Sequence, residues 1–131
     1  MAIKNANSYP ATLDKVSNDS KAYGGPFQTV LLIGTYHHLF WGSDLSSSAY
    51  YSHSQILNRL SKITTDRLIF SARLDLNRLH SAVREKAKML GCQDRYNTAY
   101  FLKRAQEFFH VNKVGYLDRT LCLSCQKTNL R

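Results

Sequence analysis

The sequence predicts a mainly α protein, a small helical domain with a long amphipathic helix and a helix-turn-helix near the C-terminus. Three observations carry that expectation. No Gly or Pro stands between Gly42 and Gly91, so a long stretch lacks the residues that most often break helices. Within it, Ile69, Ala72, Leu76, Leu79, Val83 and Leu90 recur at helical spacing and share one seam. Gly91 follows, where a helix C-terminus favours glycine. At 131 residues and 44% apolar content, the chain is long enough for one domain with a modest core.

Taken in order, residues 1–25 are polar and end in Gly24-Gly25-Pro26. They read as a flexible N-terminal arm, and residues 26–131 as a single mostly helical domain. Phe27 to Trp41 is the most apolar segment. A strand broken at Gly34 and a helix both fit it, and the shared face of Phe27, Leu31, His38 and Trp41 favours the helix. Gly42 to Ser54 is a Ser-rich loop. Ser52 or Ser54 can cap a short amphipathic helix carrying Ile56, Leu57, Leu60 and Ile63. The seam then predicts a helix over residues 65–90, continuous or bent near Arg73 to Asp75. A last helix is expected from Asn97 to Phe109, with Tyr100 or Phe101, Ala105 and Phe108 or Phe109 facing inward.

Charge points to the partner. The formal net charge is +9, and the balance lies wholly in residues 59–131, since residues 1–58 net to zero. Such asymmetry favours an anionic partner: nucleic acid, an anionic membrane surface or an acidic protein. The N-terminus shows no secretory signal, and Val30 to Ile33 is too short to span a bilayer. With three cysteines, an odd count, a cytoplasmic setting with free thiols is the expectation. Cys122-x-x-Cys125 is only half of a zinc site, to be completed by Cys92 and His110 only if folding gathers them. His37 and His38 diverge on either regular structure and read as a core or rim pair. The sequence holds no Walker loop, GxSxG or HExxH, so no catalytic residue, metal, cofactor or small-molecule ligand is identified, and the chain reads as a non-enzyme without a membrane partner.

Two helices around a glycine turn read duplex DNA by bracing the backbone and entering the major groove. Ala87 is the small residue at the crossing, Gly91 the turn, and residues 97–109 the second helix. Asn97, Thr98 and Tyr100 are placed to read bases; Arg95, Lys103, Arg104 and Lys113 are placed to hold phosphates. Arg84-Glu85-Lys86-Ala87-Lys88-Met89-Leu90-Gly91, then Asn97-Thr98 and Leu102-Lys103-Arg104 to Val111-Asn112, resembles the DNA-binding module of LuxR-type regulators over residues 84–112. Tyr100-Phe101, Phe109, Val111 and Tyr116 also resemble the second helix-turn-helix of AraC-type regulators. The resemblance implies a transcription regulator whose residues 84–113 bind double-stranded DNA. A homodimer through residues 69–90 would present two half-sites. The alternative from a different class is a helical inhibitor, adaptor or chaperone whose basic surface docks an acidic protein.

Overall fold

The computed structural model describes residues 11–41, 51–75, 79–90, 96–117 and 120–128. It corrects the mainly α expectation: the architecture is mixed α/β, a sheet with helices on one side. In chain order the described elements are α1 (Leu13–Asn18), a 3-10 turn (Ser20–Tyr23), β1 (Phe27–Ile33), α2 (Tyr36–Trp41), α3 (His53–Ile63) and β2 (Thr64–Ala72). Then follow α4 (Ser81–Leu90), α5 (Thr98–Ala105), β3 (Phe109–Leu117) and β4 (Thr120–Lys127). Residues 11–25, read from sequence as part of the arm, hold α1 and the 3-10 turn. Residues 1–10 lie outside the described residues.

The apolar segment favoured as a helix is a strand, and then a helix after Gly34. Val30, Leu31, Leu32 and Ile33 pair in parallel with Leu68, Ile69, Phe70 and Ser71. β-branched residues suit that pleated setting. Gly34 takes a φ of 67°, in the left-handed region that glycine enters without a Cβ penalty. Its N–H donates to the Ser71 carbonyl at 3.2 Å. It also lies 3.0 Å from Ser71 Oγ. The chain thus turns off the sheet there and enters α2.

α3 matches its sequence reading. Ser52 is the N-cap and Gln55 completes a capping box, each side chain satisfying a backbone N–H that the first turn leaves free. Ile56, Leu57, Leu60 and Ile63 are all buried. At Thr64 the backbone becomes extended and β2 begins directly. The long seam is therefore not a helix face. Ile69 and Ala72 sit on β2, where an odd separation puts them on opposite faces. Leu79 precedes α4, and Leu76 lies outside the described residues. A dimer built on a helical seam over residues 69–90 loses its basis.

The described strands lie in the order β1-β2-β4-β3, with β1 and β2 parallel and the β2–β4 and β4–β3 pairs antiparallel. β1 to β2 and β2 to β3 are parallel crossovers that advance in one direction across the sheet. Crossovers of the usual right hand then set both helical segments on the same face. Burial agrees with this. Leu68, Phe70, Ala72, Leu121, Leu123, Cys125 and Phe109 are buried beneath Ile56, Leu57, Leu60 and Phe101. The layer includes a buried histidine: the Tyr36 hydroxyl is hydrogen-bonded to Nδ1 of His53, and Phe40, Tyr96 and Phe101 pack around the imidazole. α1 is tied to α3 by Asp14, which bonds both Arg59 and the Tyr51 hydroxyl.

Candidate binding surface

The second helix of the expected helix-turn-helix is short. α5 spans Thr98–Ala105, and Phe109, expected to close it, opens β3. α5 packs against α3 and β3. Ala87 is fully buried, but Gly91 and Arg95 lie outside the described residues, as does the side chain of Lys113. The other expected contact groups are largely committed within the fold. The Asn97 side-chain Oδ1 accepts the Tyr100 N–H at 2.8 Å and caps the helix. Thr98 Oγ1 donates to Asp75 Oδ1 at 2.9 Å. Arg104 bonds Glu107 Oε1 at 2.8 Å and lies over the Tyr100 ring, 5.3 Å from its centroid. Lys103 is exposed. Of these groups, Thr98 ties α5 to the β2–α4 connection through Asp75, Asn97 caps the helix and Arg104 pairs with Glu107 one turn on.

The surface that the sequence reading missed is the face of the sheet opposite the helices. Residues paired in register share a face. Thr29 pairs with Arg67, Leu31 with Ile69 and Ile33 with Ser71. Across the sheet, Arg67 pairs with Gln126, Ile69 with Ser124 and Ser71 with Cys122, and His110 and Asn112 extend the same rows. None of these residues is acidic or, apart from the His110 ring, aromatic. Leu31 is 64% exposed, Ile33 56% and Ile69 37%. Arg67 on β2 and Arg73 just past the end of that strand are exposed on either side of them. Among the described residues, the Asp66 carboxylate reaches the rim, where its Oδ1 accepts from Gln126 Nε2 at 3.4 Å.

The same face settles the geometry of the cysteine pair. Cys125 is buried on the helix side and Cys122 lies part-exposed on the open side. An x-x spacing on a strand separates the two thiols across the sheet, so they cannot share an ion. Cys92 is outside the described residues. Among the described residues no cluster of three metal-ligating side chains occurs. Among them, too, no helix is long and apolar enough to cross a membrane.

Comparison with known proteins finds no matching family model, no matching curated protein and no matching solved structure. The surface must therefore be read from its own chemistry.

Proposed function

We propose that this chain is a binding module whose open sheet face docks an acidic polypeptide segment that also carries apolar residues. One observation carries the reading: Leu31, Ile33 and Ile69 form an exposed apolar strip flanked by Arg67 and Arg73. Contiguous exposed apolar surface marks interaction sites. Covering a Leu or Ile side chain contributes roughly 1.5–3 kcal/mol. The arginines add orientation and faster encounter more than affinity. The overall charge of +9 favours the same class of partner. Nucleic acid is the less suited occupant, because single strands bind sheets by stacking bases on aromatic side chains, and among the described residues paired across this face the His110 ring is the one aromatic group.

The test uses a fluorescent peptide of alternating Glu and Val residues, a Lys-Val counterpart and a random DNA duplex. Saturable binding of the Glu-Val peptide is expected, weakened at least about tenfold, or about 1.4 kcal/mol, by Arg67→Glu with Ile69→Asp. No binding of the Lys-Val peptide is expected. A double variant that binds like the wild type overturns the reading. So does a protein that ignores the peptide but binds the duplex, with affinity and salt dependence lost in Lys103→Ala with Arg104→Ala; that outcome restores duplex DNA as the partner.

A further inference from the structure

The carboxyl ends of parallel strands are where α/β sheets form ligand crevices. Here β1 ends at Ile33 and turns away at Gly34, while β2 ends at Ala72 and leaves through Arg73. β4 enters the same edge at Thr120. Between them lies a cleft of about 260 Å³ lined by Gly34, His37, Ala72, Arg73 and Thr120. Two of the five lining residues are the smallest side chains available, and three bear groups that donate to oxygen. No lining residue is a carboxylate.

Those three donors differ in direction. Arg73 comes from the end of β2, and its Nε donates to Thr120 Oγ1 at 3.5 Å. That leaves the rest of the guanidinium fork, and among the described residues no carboxylate pairs with it. Thr120 Oγ1, accepting from Arg73, still has its own proton to give. His37 comes from α2 and is half-buried. Its ring lies 4.0 Å from that of His38, centroid to centroid. Burial, then the His38 ring, then the Arg73 charge hold the His37 imidazole below its ordinary value.

We propose that this cleft binds a small tetrahedral oxyanion of the phosphate class, held by the Arg73 guanidinium, the Thr120 hydroxyl and the protonated His37 ring. Donors converging from three elements suit a tetrahedral anion better than a planar carboxylate, and the guanidinium fork matches two of its oxygens. Size limits the ligand. Drug-sized ligands occupy pockets of roughly 300–1,000 Å³, so the cleft takes phosphate itself or a small phosphate monoester rather than a nucleotide. An anion placed there offsets the repulsion that Arg73 and His38 impose on a charged His37. Binding therefore draws a proton onto His37, and affinity rises as pH falls.

The experiment titrates the intact chain with sodium sulfate, inorganic phosphate and sodium acetate, followed by NMR of the Gly34 amide and the His37 ring. Sulfate is the pH probe because its charge is constant across the range. Saturable shifts at both positions are expected with sulfate and phosphate, and much weaker ones with acetate. Arg73→Gln should weaken sulfate binding about tenfold, the worth of a charged hydrogen bond. His37→Gln should flatten the rise in affinity between about pH 8 and about pH 5. Arg67→Glu with Ile69→Asp should leave sulfate binding unchanged, which separates this site from the docking face. Equal sulfate affinity in wild type and Arg73→Gln overturns the proposal, as does acetate binding as tightly as sulfate. Shifts confined to residues outside the cleft overturn it too. A circular-dichroism melt of each variant distinguishes a lost site from a lost fold.

Discussion

Asp14 shows how one side chain fastens a terminal segment. Its carboxylate accepts from the Tyr51 hydroxyl and from Arg59 Nε, joining α1 to α3 and to the residues before it. The Tyr51 hydrogen bond, opposed next by burial and then joined by Arg59, holds its carboxyl below the usual range. A carboxyl depressed on folding adds stability above its unfolded value, and that stability disappears as pH falls through the folded one. Asp14→Asn should therefore lower stability at neutral pH by up to about 1 kcal/mol, as for a part-exposed ion pair. Urea melts should show the gap between variant and wild type closing in acid. Cysteine chemistry divides at the same scale. Burial pushes the Cys125 thiol up to about 11, and the thiolate is the reactive form. Iodoacetamide at neutral pH should label Cys122 well before Cys125, read by mass spectrometry of the two sites. Equal labelling in the folded protein contradicts the placement of Cys125 in the core.

Among the elements, α3 is the most legible in the sequence, because everything that makes it a helix is local. A serine cap, a glutamine three residues on and apolar residues at helical spacing need no partner strand. Ser52→Ala removes one half of the capping box and should cost about 1 kcal/mol, seen as a lower urea midpoint with an unchanged slope. α5 is legible in type and start, Asn97 and Thr98 included, but not in length. Phe108 and Phe109 continue its apolar pattern, yet the chain leaves the helix at Gln106 to begin pairing with β4. β2 is hidden for a related reason. Thr64–Ala72 alternates Leu68, Phe70 and Ala72 with Arg67, Ile69 and Ser71, a two-residue period visible in the sequence. The helical spacing beginning at Ile69 overlaps that pattern and masks it. Strand propensity depends on neighbours, and the neighbours of β2 are Leu31 and Ser124, distant in sequence.

At the scale of the molecule, topology creates both candidate sites. Two crossovers in one direction stack the helices on a single face and leave the other to solvent. The row Leu31, Ile69, Ser124, Asn112 is thus built from four strands. The cleft joins residues from positions 34, 37, 72, 73 and 120, three stretches far apart along the chain. In the sequence His37 stands out only as one of a pair. The signal that could have singled it out is its place just after an apolar run and a glycine, where a strand hands over to a helix. The basic half of the chain points to an anionic partner, but a sum of charges does not say which surface meets it.

What the sequence by itself determined is local or additive: the net charge and its asymmetry, the cap and buried face of α3, and the start of α5. Such properties depend on residues within a few positions of one another, or on a sum over the chain. Tertiary structure alone decided which apolar runs became strands, which of their faces stayed open and which side chains share the cleft. Strand pairing satisfies backbone groups with partners far along the chain, and a shift of one residue in that pairing would turn every side chain to the other face.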